Sequence, residues 1–297
     1  HRLDVVLPFV DNVFHVSDRK VTEIIDKERY FKDQSTEIAD ACLEFSGTSN
    51  MFSLTNVAFS VKERDILKDV TFDILKGSRV VLLGENGCGK TTLLRLISRL
   101  EKPTRGTISQ NIDDKFGQKS RQSKKWYQKV GVVYQNPDYQ LFMPTVEKEI
   151  KFGAKSNEYA DKIAAQFGVK HLYARHPQSL SEGQKRRVSI AAVVATAPEV
   201  LILDEPTAVL TVPEIRKLFA VLRRMREAGK AIILISHKLN EVMELSDRVA
   251  VLRKGEYIGT VNTAETTPAQ LTEMMVGKKV DLNIERTDPV NPTDRLV

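Results

Sequence analysis

Five short runs of Val, Ile and Leu constrain the fold of this chain more than any other feature of its sequence. They lie at residues 79–83 (RVVLL), 130–134 (VGVVY), 200–203 (VLIL), 231–235 (AIILI) and 249–252 (VAVL). The runs lack the alternation of a half-exposed strand, and strands that are apolar on both faces belong to parallel sheets covered by helices. Helical patterns at 91–100 and 215–228 lie between them. The sequence therefore predicts an α/β core.

The segment from about residue 137 to residue 194 interrupts this alternation. It contains one helical pattern after another and no buried-strand run. Within it, Ser181 and Gln184 have the spacing of a capping box, which predicts a helix that begins at Ser181. We expect this segment to be a helical subdomain inserted into the core.

Residues 84–92 form the pattern GxxxxGK[ST] directly after the first apolar run. The members are Gly84, Glu85, Asn86, Gly87, Cys88, Gly89, Lys90, Thr91 and Thr92. A glycine-rich turn between a strand and a helix lets backbone N–H groups converge on phosphates, and the helix N-terminus adds partial positive charge. In this arrangement Lys90 reaches the β- and γ-phosphates and the Thr91 hydroxyl binds Mg²⁺. The pattern predicts a nucleoside triphosphate site.

Two adjacent carboxylates, Asp204 and Glu205, follow the apolar run at 200–203. Side chains alternate at a strand end, so the two carboxylates can take separate tasks. We expect Asp204 to hold Mg²⁺ and Glu205 to orient and polarise the attacking water as a general base. Acidic residues commonly end strands, but this pair follows a phosphate-binding loop by about 110 residues, which favours the catalytic interpretation.

Residues 51 to about 262 resemble an ATP-binding cassette (ABC) domain, because the other landmarks of that family occur in the same order. Gln135 follows the run VGVVY as the family's Q-loop glutamine does, residues 180–184 (LSEGQ) resemble the LSGGQ signature, and His237 matches the switch histidine. The resemblance implies a P-loop NTPase (RecA-like) core with an antiparallel β subdomain and an inserted helical subdomain.

The resemblance also implies a task for each of these residues. Gln135 would contact Mg²⁺ and the attacking water and couple to a membrane subunit, and His237 would touch the γ-phosphate. Ser181, Gly183 and Gln184 would face the γ-phosphate held by a partner subunit, with the helix N-terminus binding the anion. The implied cofactors are ATP and Mg²⁺. The implied partners are a second ABC ATPase domain, in a homodimer or a heterodimer, and transmembrane transporter subunits.

Three positions depart from the family pattern. Val61 stands where an aromatic residue usually stacks on adenine, and Phe59, on the same strand face, is the candidate substitute. Glu182 replaces a glycine in the first turn of the signature helix, near the partner's phosphates. Thr211 stands where the family's D-loop carries aspartate. These departures raise the alternative of a degenerate, non-hydrolysing half of an asymmetric pair, against which the intact catalytic residues weigh.

Two sets of residues resemble different importer ATPases. Residues 135–142 (QNPDYQLF) resemble energy-coupling-factor ATPases, whereas residues 236–239 (SHKL) and 266–279 resemble sugar or nucleoside importer ATPases, which carry two such domains in one chain. We therefore expect an importer ATPase, peripheral to the cytoplasmic face of the membrane. The alternative from another class is a soluble cassette ATPase that acts on ribosomes or DNA. The absence of coiled-coil heptads and of a long charged linker between two full copies argues against it.

The first residues of the chain repeat a later segment. Residues 1–13 align without gaps on residues 237–249, and five of these thirteen positions are identical. One interpretation is chance similarity between amphipathic stretches; the other is that residues 1 to about 23 are the tail of a preceding copy of the domain.

These features predict three regions. Residues 1–50 form an N-terminal extension and linker, residues 51–262 the ATPase domain, and residues 263–297 a C-terminal helix and tail. In the last region Thr267 and Pro268 begin a short helix that ends near Gly277.

Composition bears on the possible partners and on the cellular compartment of the protein. The net charge of +6 would suit nucleic acid, but the basic residues are spread along the chain. The densest basic stretch, residues 115–129, contains Trp126 and Tyr127, yet it is also typical of a solvated loop, and we expect no nucleic-acid partner. Cys42 and Cys88 suit neither a metal site nor a disulfide framework, which favours a reducing cytosol. No apolar run reaches the roughly 20 residues of a membrane span.

Overall fold

The computed structural model describes residues 13–17, 20–24, 49–110 and 129–278. Within these ranges the strands are β1 (Val13–Ser17), β2 (Lys20–Ile24), β3 (Asn50–Val61), β4 (Arg64–Leu75), β5 (Arg79–Leu83), β6 (Arg105–Gln110), β7 (Val130–Val133), β8 (Val200–Asp204), β9 (Ala231–Ile235), β10 (Arg248–Arg253) and β11 (Glu256–Asn262). The helices are α1 (Lys90–Ile97), α2 (Val146–Lys151), α3 (Asn157–Gln166), α4 (Glu182–Ala195), α5 (Val212–Glu227), α6 (Leu239–Leu245) and α7 (Pro268–Val276). The interpretations of residues 1–12, Cys42, residues 115–128 and residues 281–297 lie outside the described residues.

Nine of the described strands form one mixed sheet, in the order β6-β3-β4-β11-β10-β5-β9-β8-β7. From β10 to β7 each strand is parallel to its neighbour, which confirms the parallel sheet predicted from the five apolar runs. At the other end β6, β3 and β4 pair antiparallel. β11 connects the two halves, because it is antiparallel to β10 and parallel to β4. β1 and β2 form a separate antiparallel hairpin.

The parallel strands are buried on both faces, as their sequences predicted. Along β5, Val80 and Leu82 belong to one apolar cluster, whereas Val81 and Leu83 belong to another. The first cluster includes side chains of α1 and of the antiparallel strands, and the second includes side chains of α2 to α6. Full burial of each such side chain stabilises the fold by about 2 kcal/mol. The sheet is therefore fixed between two layers, and the carboxyl ends of its strands share one edge.

The segment between β7 and β8 is helical and contains no strand among residues 134–199, all of which are described. Its three α-helices begin at hydroxyl N-caps, which are Thr145, Ser156 and Ser181. At Ser181 the backbone N–H donates to Gln184 Oε1 at 3.1 Å, so the predicted capping box is confirmed. The predicted helix start at Thr267 is confirmed as well.

The longest helix described, α5, has 16 residues and is polar on one side. Among the described residues, no helix combines the length and apolar character needed to cross a bilayer.

Candidate functional site

The glycine-rich loop between β5 and α1 follows a path that two of its glycines make possible. A Cβ atom on Gly84 would lie 2.3 Å from the carbonyl oxygen of Leu252 and 2.6 Å from Cys88 Sγ. Gly89 has a φ of 102°, and a Cβ there would lie 2.6 Å from Leu67 Cδ2. Any side chain at either position would displace the loop. The loop therefore turns tightly into α1, with the backbone close to the site that phosphates would occupy.

Lys90, the first residue of α1, is buried within this loop. Lys90 is 6% exposed. Its Nζ donates to the carbonyl oxygens of Gly84 and Glu85, each at 2.8 Å. The ammonium group is thus held at the N-terminus of α1, where the helix also contributes partial positive charge. This concentration of positive charge suits a triphosphate.

A hydrogen bond joins the loop to the acidic end of β8. Thr91 Oγ1 donates to Asp204 Oδ2 at 3.2 Å, and Asp204 is buried. Burial raises the pKa of the Asp204 carboxyl, and the neighbouring charge of Glu205 acts in the same direction; the Thr91 hydrogen bond and the charges of Arg186 and Lys90 oppose it. The phosphate loop and the predicted carboxylates therefore form one site.

The structure brings the three predicted catalytic residues together at the carboxyl edge of the sheet. Gln135 follows β7, Glu205 follows β8 and His237 follows β9. Glu205 Oε1 lies 3.2 Å from His237 Nδ1, and Glu205 Oε2 accepts a hydrogen bond from Gln135 Nε2 at 3.3 Å. Glu205 has a φ of 44°, in the left-handed region, which is uncommon for a residue with a Cβ. A carboxylate held between these two side chains can accept a proton from water.

The donor groups beside the loop fit Mg²⁺. Asp204 and Thr91 offer a carboxylate and a hydroxyl in contact, and Gln135, whose Nε2 donates to Glu205 Oε2 at 3.3 Å, offers an amide oxygen. Mg²⁺ prefers oxygen ligands and usually takes one or two carboxylates together with substrate phosphates. The described residues contain no cluster of three or more His, Cys, Asp or Glu side chains that would enclose a metal ion on their own. These oxygen groups therefore fit a Mg²⁺ ion that takes some of its ligands from the protein and the others from a triphosphate.

The signature residues lie apart from the loop. Ser181 caps α4, which begins with Glu182, Gly183 and Gln184. Within the described residues, no hydrogen bond or ion pair joins residues 180–184 to residues 84–92. Glu182 pairs with Lys185 at 3.1 Å. Part of the negative charge expected to face a partner's phosphates is therefore balanced within the chain.

The other two departures from the family pattern have different surroundings. Val61 is 48% exposed, whereas Phe59 is partly buried against the core. The pairing of β3 with β4 shifts register between Phe59 and Ser60, where β4 contains one extra residue, and the replacement of the missing aromatic residue by Phe59 stays a prediction. Thr211 is the N-cap of α5, and its N–H donates to Glu214 Oε2 at 2.9 Å.

Arg186 is a buried arginine beside the site that was not predicted from the sequence. It is 1% exposed and donates to main-chain carbonyl oxygens next to Gln135 and Glu205. A signal existed in the sequence, because Arg186, Ile190 and Val194 are spaced four residues apart and all three lie on the buried face of α4.

Glu241, an acidic residue on α6, was not predicted from the sequence either. Glu241 Oε2 accepts hydrogen bonds from Thr207 Oγ1 at 2.6 Å and from Ser236 Oγ at 3.2 Å. Lys238 Nζ donates to Glu241 Oε1 at 3.0 Å. Glu241 thereby ties the segment after Glu205 to the segment that carries His237. No sequence spacing indicated the contact with Thr207, which lies 34 residues away on another loop.

Comparison with known proteins agrees with this geometry. The ABC transporter family matches residues 67–208. A nickel import ATP-binding protein of Lactiplantibacillus plantarum is 32% identical over 76% of this chain and 99% of its own length. An energy-coupling factor transporter ATP-binding protein of Methanoculleus marisnigri is 36% identical over 70% of this chain and 78% of its own length.

A solved structure is similar as well. It is a dimeric, post-hydrolysis state of an ATP-binding cassette bound to ADP and Pi, 26% identical, with a TM-score of 0.63 over 72% of this chain and 99% of that one. The matches to these two relatives cover 99% and 78% of the relatives' own lengths. The site also has the loop and the carboxylates that ATP hydrolysis requires. The chain therefore belongs to the ABC transporter family, as one of its ATP-binding and ATP-hydrolysing subunits.

Proposed function

We propose that this chain hydrolyses ATP to energise an ABC-type importer, at the cytoplasmic face of a membrane. The observation that carries the proposal is the position of the Glu205 carboxylate, between Gln135 and His237 and directly after Asp204, which contacts the phosphate loop. The direction of transport rests on the names of the relatives, one of which is a nickel import protein and another an energy-coupling factor transporter protein.

The proposed reaction is phosphoryl transfer from ATP to water. Residues 84–92 bind the phosphates, and Lys90 supplies a cation for the β- and γ-phosphates. Glu205 orients a water whose oxygen attacks the γ-phosphorus while the bond to the bridging oxygen of ADP breaks. His237 and Gln135 fix the direction of the Glu205 carboxylate. Mg²⁺, held by Thr91, Asp204 and Gln135 together with the phosphates, would neutralise charge on the phosphate oxygens.

The proposed partner at the nucleotide is a second ATPase domain. Among the described residues, the N-terminus of α4 at Ser181 makes no hydrogen bond or ion pair to the loop of its own chain, so N–H groups of its first turn can bind the phosphates of another copy. Val209 and Val212 lie in the segment beside it, and each is 49% exposed. We expect the second domain to bury these apolar side chains when the two domains form a dimer. The dimeric structure of a similar cassette supports this arrangement.

The proposed membrane partner covers an exposed aromatic group that follows Gln135. Tyr139, Phe142 and Phe152 are 81%, 67% and 58% exposed, and the rings of Phe142 and Phe152 are 5.5 Å apart in an edge-to-face arrangement. Large aromatic side chains are enriched in the buried centres of protein interfaces. A transmembrane subunit seated here would contact the segment that carries Gln135.

For the domain organisation, we propose that residues 51–262 form the ATPase domain and that residues 1 to about 23 are the tail of a preceding copy of it. The alignment of residues 1–13 on 237–249 continues into the hairpins that follow. β1 and β2 pair Ser17 with Lys20, and β10 and β11 pair Arg253 with Glu256 at the same sequence separation. The expected natural polypeptide carries a second GxxxxGK pattern before residue 1, and sequencing the full gene tests this.

The function is tested by replacing Glu205 with Gln. The amide cannot act as a general base, so we expect kcat for Mg-ATP to fall by about 100-fold or more, with ATP binding retained. The matched control is Glu199→Gln, at the opposite end of β8, where the side chain is 40% exposed and pairs with Lys129 at 3.8 Å. Unchanged hydrolysis in Glu205→Gln would contradict the proposal. Recovery of ribosomes or nucleic acid in place of a membrane protein would contradict the transport role.

A further inference from the structure

Arg186 is a buried cation whose partners are parts of the backbone. It lies in the first turns of α4 and is 1% exposed. The guanidinium donates to the carbonyl oxygens of Tyr134 and Asp204, to that of Pro206 at 3.3 Å and to that of Gln135 at 3.4 Å. Burial lowers the pKa of Arg186 to about 10, so the group is charged at neutral pH. A buried charge is unfavourable unless its hydrogen bonds are satisfied.

The four carbonyl groups belong to the two backbone segments that carry the proposed catalytic residues Glu205 and Gln135. Those of Asp204 and Pro206 flank Glu205, and those of Tyr134 and Gln135 begin the segment that follows β7. One planar guanidinium therefore fixes the separation between the backbone that carries Glu205 and the backbone that carries Gln135. The rigid fork of arginine suits this task, whereas a lysine ammonium offers a single point of attachment.

The backbone at Glu205 needs such support. Its φ of 44° is disfavoured for a residue with a Cβ, and its N–H donates to the carbonyl oxygen of Ile235 at 3.1 Å. The bonds from Arg186 hold the peptide groups on either side of it. Without them, Glu205 can relax to a more common φ, which would turn its carboxylate away from Gln135 and His237.

We propose that Arg186 is a positioning residue for hydrolysis. It fixes the orientation of the Glu205 carboxylate and makes that orientation depend on the position of the signature helix, α4. The proposal rests on the proposed role of Glu205. Because Arg186 is five residues from Ser181 on the same helix, a shift of α4 when Ser181 meets the partner's nucleotide moves the guanidinium and with it the backbone around Glu205. The signature helix of one domain thereby adjusts the general base of the same domain.

The test compares Arg186→Lys and Arg186→Met with Arg187→Lys in the full chain. Arg187 is the matched control, because it lies next along α4 and pairs with Glu214 at 2.9 Å, away from Glu205. We expect both Arg186 variants to lower kcat for Mg-ATP by about tenfold or more with KM within about twofold, and Arg187→Lys to leave both within about twofold. The Met variant removes a buried charge and keeps a similar apolar volume, so it provides a folded protein if the Lys variant is unstable.

A second measurement separates positioning from general support of the fold. In the Glu205→Gln background the general base is absent, so its orientation no longer affects the rate. We therefore expect Arg186→Lys to leave the residual rate of ATP hydrolysis within about twofold. A full tenfold loss in that background, or an equal rise in KM, would overturn the proposal. If Glu205→Gln itself leaves kcat unchanged, the proposed function fails. If Glu205→Gln lowers kcat and the Arg186 variants do not, only the role of Arg186 fails.

Discussion

Lys90 shows at the scale of one residue how the loop prepares for phosphate. Its ammonium is held by two carbonyl oxygens of the same loop, so the loop itself fixes its position. We expect Lys90→Ala to weaken ATP binding by about 10- to 100-fold, because charge-assisted hydrogen bonds contribute about 1.5–3 kcal/mol. Calorimetric titration with ATP measures the change. Lys102→Ala, at an exposed position after α1, is the control, and equal effects in the two variants would contradict the role of Lys90.

The residues that sequence reasoning found are those whose chemistry is encoded by short spacing. Residues 84–92, and Asp204 with Glu205 after an apolar run, are recognisable without a structure because each motif is local. Arg186 and Glu241 were not predicted, because Arg186 bonds to main-chain carbonyls of other segments and Glu241 bonds to Thr207 on another loop, 34 residues away.

At the scale of one element, α4 connects the parts of the site. Four of its polar residues bond to three other segments: Lys185 and Ser189 to Asp138 and Gln140 at 2.8 and 3.0 Å, Arg186 to the backbone beside Glu205, and Arg187 to Glu214 at 2.9 Å. The Asp138 and Gln140 contacts fix the segment after Gln135 to the helix. α4 and the segment after β7 are therefore expected to move as one body when the signature residues meet a partner.

Asp247 holds three elements together at the opposite edge of the sheet. It accepts hydrogen bonds from Arg79 at the start of β5, at 2.9 Å, and pairs with Arg226 near the end of α5 at 3.0 Å. The three side chains are at most 12% exposed. Removal of one partner from a buried ion pair leaves uncompensated charge, so we expect Asp247→Ala to lower the free energy of unfolding by about 3–5 kcal/mol.

The control for this prediction is an exposed ion pair. Arg95 and Glu101 are 2.9 Å apart with side chains 52% and 38% exposed, so Glu101→Ala should change the free energy of unfolding by about 1 kcal/mol or less. Urea denaturation measures both values. Comparable small losses in the two variants would show that the buried cluster is not a structural link.

The order of the strands could not be predicted from the sequence, although their existence could. The runs at 79–83 and 231–235 are adjacent in the sheet while 150 residues apart in the chain, because β5 lies between β10 and β9. That arrangement depends on which helices cover each face, a property of tertiary packing. The convergence of Gln135, Glu205 and His237 follows from it, since three neighbouring parallel strands end at one edge.

At the scale of the whole molecule, the site is expected to be completed by a second domain. We expect the Glu205→Gln chain to sediment as a dimer in Mg-ATP and as a monomer without nucleotide, because a ligand that binds only the pair shifts the equilibrium by mass action. The control adds Gly183→Asp to Glu205→Gln. An aspartate in the first turn favours α4 itself but repels the phosphates of the other copy, so the double variant should stay monomeric. Sedimentation velocity over a range of protein concentrations distinguishes the two. If the double variant dimerises as readily as the single one, the nucleotide is not held between the loop of one domain and the signature helix of the other.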